Sequence, residues 1–433
     1  MAGQGMYGVT SIHPLGLLVA LVLGITLVMV PRRYAVVPML LLACFIPSAQ
    51  RIVIMGADFN LLRILVVFAW VRLLVRSEFY GFQWNRLDTM MIAWMGSGTL
   101  IFTMAYGTQS AFVNRCGWMF DGFGMYFFFR CIFREWRDFD FLIRAFILIG
   151  FPVAFAFLVE RITGRNAFSI FGGVQGITAI RDGRLRCQGA YDHAILAGCF
   201  WVGVLPWMIA YASRGHKWLG MAGIAAGLIV VINCASSTPL LAFCFMLVGM
   251  SLYFVRNQVR IIRWGFLLVL VMLHFVMDKP VWHLIARVNV VGGSTGWHRY
   301  MIMDATINNF SKWWLLGEKD PLSWGVWQMR DITNQYILEA LRGGLLSLLC
   351  FIVMIGVAFG IVGRASRSCE DNGRNRVLVW SVGTALFVHV CIYFAVSYFG
   401  QIIMMWYLTL AMIGSLPAVT SPSRDAYSGV PST

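Results

Sequence analysis

The sequence predicts an all-α, polytopic transmembrane helix bundle of twelve to thirteen spans with two long outward-facing loops carrying short helices, and three observations predict it. Hydrophobic residues make up 59% of the 433 and charged residues only 12%, with a mean hydropathy of +0.74. That leaves too little polar surface for a water-soluble globule of this size. The apolar residues come in runs as long as a bilayer core requires of a helix. They also lack the two-residue alternation of barrel strands, and a bilayer admits only helices or closed barrels, because only these satisfy every backbone group internally.

The predicted spans are 15–31, 35–50, 58–75, 88–106, 109–132 and 140–159 in an N-terminal block (1–159), then 193–213, 217–235, 238–255 and 263–277 in a central block (193–277). A C-terminal block (336–417) adds 336–363, 377–397 and 401–417. The first run has no preceding positive charge and is followed at once by Arg32 and Arg33, the pattern of a retained anchor and not of a cleaved signal. Two connections are too long to be turns, 160–192 and 278–335, and a Pro/Ser-rich tail, 418–433, is expected to be disordered. No internal repeat and no matched pair of Gly/Pro-broken helices stands out.

A net charge of +15 suits nucleic acid, but Lys and Arg are scattered between apolar runs and form no basic domain, so no nucleic-acid partner is expected. They gather in alternate connections instead: Arg32/Arg33, Arg72/Arg76/Arg86, Arg130/Arg134/Arg137, Arg214/Lys217, Arg256/Arg260/Arg263 and Arg364/Arg367/Arg374/Arg376. Connections so marked face the cytoplasm, which puts the tail inside and both long loops outside. Yet the loops carry Arg161, Arg165, Arg181, Arg184 and Arg186, and Lys279, Arg287, Arg299, Lys312, Lys319 and Arg330. Cations against the rule on the outer face point to an anionic ligand there. The ten cysteines lie mostly inside apolar runs without disulfide or zinc spacing, and neither metal nor other cofactor is expected.

The first loop ends Arg184-Leu-Arg186-Cys-Gln-Gly189-Ala-Tyr-Asp192-His193, immediately before a span. Guanidinium forks beside the free amides of a helix N-terminus suit phosphate, and loop arginines equally suit lipid headgroups. The second loop holds Arg287, then Gly292-Gly-Ser-Thr-Gly296 leading through Trp297, His298 and Arg299 into a helical run to Asn309. It closes with Asp331-Ile-Thr333-Asn334-Gln-Tyr336 and then Glu339, Arg342, Gly343 and Gly344, where Asp, Thr or Asn can serve as a helix cap. Its tryptophans, Trp282, Trp297, Trp313, Trp314, Trp324 and Trp327, suit either a headgroup boundary or the faces of sugars. Within the spans, Asp121 is read as lining a cavity or paired with a neighbouring helix, and Arg115 and Arg144 as turned away from lipid. His274 and His389 are read as packed, hydrogen-bonded residues.

The order of Arg186-x-x-Gly189 with His193, Ser236-Ser-Thr-Pro239, His298-Arg299, and Asp331-x-Thr-Asn334-x-Tyr336 with Gly343-Gly344 resembles the bacterial O-antigen ligase and polymerase superfamily. The resemblance covers roughly residues 180 to 350. It implies a multi-pass glycosyltransferase of the bacterial inner membrane, active on the periplasmic face. Such an enzyme moves glycan from an undecaprenyl-diphosphate-linked oligosaccharide to an acceptor glycan without a metal. By the same resemblance Arg186, Arg299, Arg287 and Arg184 hold the diphosphate, Asp331, His298 and Asn334 form the catalytic group, and Gly189, His193 and Tyr336 contact substrate. Ligases of the superfamily carry a His where this chain has Thr333, a departure that favours polymerase over ligase. Two other readings stay open: a lipid-linked oligosaccharide flippase, and an inactive member of the same fold.

Overall fold

Helices account for nearly all regular structure in residues 10–54, 57–287 and 296–420, the residues that the computed structural model describes. In chain order they are α1 (Pro14–Met29), α2 (Val36–Phe45), α3 (Leu61–Val75), α4 (Arg86–Tyr106), α5 (Gln109–Ile132), α6 (Trp136–Thr163), α7 (Ala194–Ser213) and α8 (Lys217–Asn233). There follow α9 (Ser237–Ser251), α10 (Val259–Val276), α11 (Gly296–Asn308), α12 (Phe310–Trp313), α13 (Gln335–Ser368), α14 (Gly373–Ile392) and α15 (Ile402–Thr420). The strands among the described residues form two antiparallel hairpins, β1 (Arg51–Ile54) with β2 (Ala57–Asn60), and β3 (Ile180–Arg181) with β4 (Arg184–Leu185). The glycine-rich turn at 292–295 and the tail from 421 onward lie outside the described residues, and α15 carries helix three residues into the segment expected as tail.

Six helices are long and apolar enough to cross a membrane: α6, α7, the stretch Arg256–Val276 that contains α10, α13, α14 and α15. This is fewer than the apolar runs suggest, for two physical reasons. α1, α8 and α9 are apolar but only 16, 17 and 15 residues long, which at about 1.5 Å per residue falls short of a roughly 30 Å hydrocarbon core. α4 and α5 have the length but are less apolar, α4 because Gly, Ser and Thr interrupt its apolar residues and α5 because it also carries Arg115, Asp121 and Arg130; the carboxylates of both are paired within the bundle. Asp88 of α4, fully buried, accepts from Arg130 Nε of α5 at 3.1 Å and from the Tyr126 hydroxyl at 2.7 Å. Asp121 of α5 takes both prongs of Arg63 of α3 at 2.7 Å.

α7 is the most enclosed helix, with α8, α9, α14 and α15 packed around it. α4 lies against α13, α6 against α8, and α5 against α3, α4 and α15. At the end of the bundle where α6 and α14 begin, arginine is generally met by carboxylate. Asp138 accepts from Arg32 and Arg33, Arg72 forks onto Glu78 at 2.6 and 2.8 Å, and Arg214 bonds Asp140.

α13 is one 34-residue run only in name. Gly344 has φ +61° and ψ −169°, a conformation open to glycine alone, and a Cβ there would press on the carbonyls of Trp314 and Leu315. The amide of Leu345 turns aside to donate to Trp314 O at 2.7 Å, and Leu341 O accepts from Glu318 N at 2.8 Å. The leading segment, Gln335–Gly343, therefore belongs to a second small core with Ile302, Ala305, Trp313 and Met329. That core gives the long 278–335 connection its fold. Trp313 is buried there with its indole N–H on Thr306 O at 2.7 Å, whereas Trp297, Trp314 and Trp327 remain exposed.

Candidate functional site

The N-termini of α7, α9, α13 and α15 lie at one end of the bundle, and the sequence-predicted site residues are distributed around them. α7 begins where His193 caps it, the ring Nδ1 accepting from Ile195 N at 3.1 Å. A ring nitrogen that accepts carries no hydrogen, so the proton of the neutral imidazole is on Nε2, leaving a donor aimed away from the helix. Burial pushes the pKa of His193 down to about 4; Arg186 and Arg181 add to this and Asp331 opposes it. Arg186 and Asp331 therefore each lie within electrostatic reach of His193.

Arg186 follows the β3–β4 hairpin and is half-buried. Its neighbour Cys187 donates to Asn233 O at 3.1 Å, which holds this part of the loop against the end of α8. The Arg186 Nε is buried without a hydrogen-bond partner, and no carboxylate pairs with the guanidinium among the described residues. Desolvation, then the nearby Arg181, lowers its pKa. Arg299, in the first turn of α11, approaches from the other loop. It is 9% exposed and donates from Nη2 to Thr238 Oγ1 at 2.9 Å and from Nε to Ala395 O at 3.1 Å. Both partners are neutral, and desolvation lowers the Arg299 pKa as well.

The two guanidinium-bearing residues thus flank one stretch, Asn233–Thr238, where α8 ends and α9 begins. Ser236 leads into α9 without a side-chain cap, and position 239 is proline, so the first amides of α9 have no side-chain partner from Ser236. Neither guanidinium has a carboxylate within salt-bridge distance among the described residues, although Asp182 lies near enough to Arg186 to favour its charge; guanidinium forks, imidazole N–H groups and helix N-terminal amides are each suited to oxyanions.

His298, beside Arg299, points its Nε2 at the Asp331 carbonyl at 2.9 Å. A carbonyl only accepts, so Nε2 carries the proton and Nδ1 keeps a free lone pair. The Asp331 carboxylate is exposed, with no hydrogen bond among the described residues. The cap of α13 is Asn334, whose side chain accepts from Ile337 N at 3.2 Å, while Thr333 Oγ1 is buried without a partner. Tyr336 seats α13 on α14 through a bond from its hydroxyl to Val390 O at 3.0 Å. Gly189 is buried, its amide on Glu160 Oε2 at 2.9 Å and its carbonyl accepting from Asn166 Nδ2 at 2.7 Å. Arg184 and Arg287 are exposed, one in the β3–β4 hairpin and the other ending the 3-10 turn Val281–Arg287, and nothing among the described residues ties either to Asn233–Thr238.

A cavity of ≈ 110 Å³ opens at the same end, lined by Ser48, Asn60, Leu62, Asp121, Met125 and Asp192. Asp121 was legible as a polar residue inside a span; it both lines this cavity and pairs with Arg63. Ser48, Asn60 and Asp192 were not read as a group, because they come from three distant segments. Thr238 lies within Ser236-Ser-Thr-Pro239, where sequence alone gives it no role; in the structure it accepts from Arg299. Arg115 is buried over the Phe102 ring at 3.9 Å and His389 is buried with Nδ1 at 2.6 Å from the Tyr398 hydroxyl, whereas Arg144, against expectation, is exposed on α6 and only its Nε is held, by the Tyr211 hydroxyl. His274 is exposed on α10 and stacks on Trp282. Compared with models of known families and with curated proteins, the chain matches none.

Proposed function

We propose that the chain is a multi-pass glycosyltransferase of the bacterial inner membrane, of the O-antigen polymerase or ligase kind, with the α7/α9 N-terminal end facing the periplasm. It moves glycan from an undecaprenyl-diphosphate-linked donor to a hydroxyl of an acceptor glycan. The observation that carries this reading is the pair Arg186 and Arg299, two desolvated guanidinium groups without carboxylate partners on either side of Asn233–Thr238. Arg130, at the opposite end, is by contrast matched by the buried Asp88, and a desolvated guanidinium without such a partner favours a source of negative charge from outside the chain.

In the transfer, the acceptor oxygen bonds to the anomeric carbon as the bond from that carbon to the diphosphate oxygen breaks. The leaving diphosphate takes the electron pair, and Arg186, Arg299 and the Nε2–H of His193 stabilise its charge. Fixed donors in a site shielded from water are worth about 2.7 to 4 kcal/mol each at the transition state. The acceptor hydroxyl must lose its proton. The His298 Nδ1 lone pair, its ring held by the Asp331 carbonyl, is the base that this geometry favours, with the exposed Asp331 carboxylate as the other candidate.

One observation favours a flippase, since transporters use interrupted helices and α13 is interrupted at Gly344. The break is filled, however: Leu345 N and Leu341 O are bonded within the small core and are not free for a substrate. The deciding experiment uses the purified chain in nanodiscs with lipid-diphosphate-linked repeat units. Longer glycans from the wild type, absent with Arg186→Ala or Arg299→Ala at equal membrane insertion, are the expected result. Transfer that persists in both variants overturns the reading.

A further inference from the structure

The cavity beside Asp192 carries a second inference, beyond diphosphate binding. Asp192 precedes the α7 cap, and its Oδ2 lies 2.8 Å from Ser48 Oγ, which in turn lies 3.1 Å from Gln401 Oε1. The Gln401 amide is fixed in orientation, because its Nε2 donates to Ala190 O at 2.6 Å. Ser48 has one proton, and an ionised Asp192 and Gln401 Oε1 are both acceptors. One of the two contacts would then have no hydrogen between its oxygens. A proton on Asp192 Oδ2 completes the chain, with Oδ2–H donating to Ser48 and Ser48 donating to Gln401. Desolvation, which raises the pKa of Asp192, acts in the same direction. Gly400 is what admits the carboxyl group, since a Cβ there would run into Asp192 Oδ2 and Ser48 Oγ.

This arrangement leaves Asp192 Oδ1, a carbonyl-type acceptor on a residue that lines the cavity, buried without a partner. Asn60 contributes the reciprocal group. Its Oδ1 is taken by Arg63 N at 2.8 Å in capping α3, while its Nδ2 makes no hydrogen bond with the described residues. A metal cation has little to bind, because both oxygens of Asp121 are held by the Arg63 guanidinium at 2.7 Å, which also places a positive charge at the site. The cavity walls alternate these polar groups with Leu62, Met125 and Ile403. One neutral donor, one neutral acceptor and apolar walls match a sugar ring, whose hydroxyls both donate and accept.

We propose that this cavity is a binding subsite for a neutral saccharide, one hydroxyl of which donates to Asp192 Oδ1 and accepts from Asn60 Nδ2, with Asp192 held as the uncharged acid. Within the transfer reading it is where a sugar of the glycan is seated, but its binding is measured without turnover. The full chain in nanodiscs is titrated with glucose, galactose, rhamnose and N-acetylglucosamine, and binding is read by saturation-transfer NMR. At least one of these sugars binds the wild type. Asp192→Asn keeps the acceptor oxygen and supplies a donor to Ser48, so binding stays within about threefold. Asp192→Ala and Asn60→Ala each remove one hydrogen bond and weaken binding about 3- to 10-fold. Loss of binding in Asp192→Asn, competition by sodium or magnesium ions, unchanged binding in both alanine variants, or no binding by the wild type overturns the proposal. Should Asp192→Ala fail to fold, Asn60→Ala still reads the site. Arg186→Ala and Arg299→Ala leave sugar binding intact, so failure of the diphosphate reading shows as lost transfer with the sugar signal preserved.

Discussion

Arg299→Met separates a guanidinium kept for a ligand from one kept for the fold. In the wild type Arg299 is 9% exposed and gives hydrogen bonds to Thr238 Oγ1 and Ala395 O, with no carboxylate beside it. Methionine removes those two bonds, worth about 1.5 to 3 kcal/mol each when the donor is charged. It also removes the penalty for keeping an uncompensated ion out of water, several kcal/mol in real proteins. The two effects cancel to within about 2 kcal/mol. Arg130→Met is the comparison. It leaves Asp88, fully buried, without its cation, and breaking a buried pair from one side costs about 3 to 5 kcal/mol. The assay is thermal and denaturant unfolding of both variants in one detergent, with transfer activity measured in parallel. Arg299→Met is expected to unfold near the wild type and to lose about 100- to 1,000-fold in transfer, whereas Arg130→Met unfolds much earlier. If Arg299→Met were as unstable as Arg130→Met, Arg299 would be part of the scaffold and the argument from unmatched charge would fail.

Further outcomes follow from individual geometries. His298→Ala should lower transfer about 10²- to 10⁴-fold, while Asp331→Asn, which keeps the carbonyl that holds the ring, should stay within about tenfold; the reverse ranking in rate assays would transfer the base to the carboxylate. Gly344→Ala places a side chain where φ is +61° and should destabilise the protein by about 1 to 3 kcal/mol, seen as faster hydrogen exchange at 335–343. His193, with its pKa depressed to about 4, takes up its proton later in the fold than in the unfolded chain. Its contribution to stability is complete above the unfolded pKa near 6.5, and it is lost as pH falls from there through about 4. Unfolding midpoints should fall over that window, and less steeply in His193→Asn, which keeps a helix cap; equal slopes would refute the assignment.

Several parts of this architecture could be read from residue order alone. His193 stands just before a long apolar run and caps α7, and the helical run after Trp297 is α11. The loop arginines stand out because they break the charge rule, and the structure bonds Arg299 to Thr238 and the residue after Arg186 to Asn233. The span count was less legible, since a run of apolar residues does not say how far a helix continues: α2 stops after ten residues. Tandem Gly343-Gly344 was visible, but glycines inside a helical pattern serve close packing as readily as a break, and only the bond from Leu345 to Trp314 decides between them. The sugar cavity was illegible for a different reason. Ser48 is 144 positions from Asp192 and 353 from Gln401, and no local pattern marks residues that meet only after the bundle closes.

α10 leaves a last consequence. None of its 18 residues is buried, although the stretch that contains it is long and apolar enough to cross a membrane. In a bilayer, acyl chains are as good a neighbour for leucine as another helix is, so no attraction of the kind that folds proteins in water draws α10 inward. Among the described residues its neighbours are the short turns at its two ends, with Trp282 stacked on His274. Arg256 just before it and Arg260 and Arg263 in its first turns are costly to place in hydrocarbon, so they would hold that end at the headgroups. Swapping one aliphatic residue for another along α10 leaves the molecule indifferent, and a single charge at its midpoint expels it.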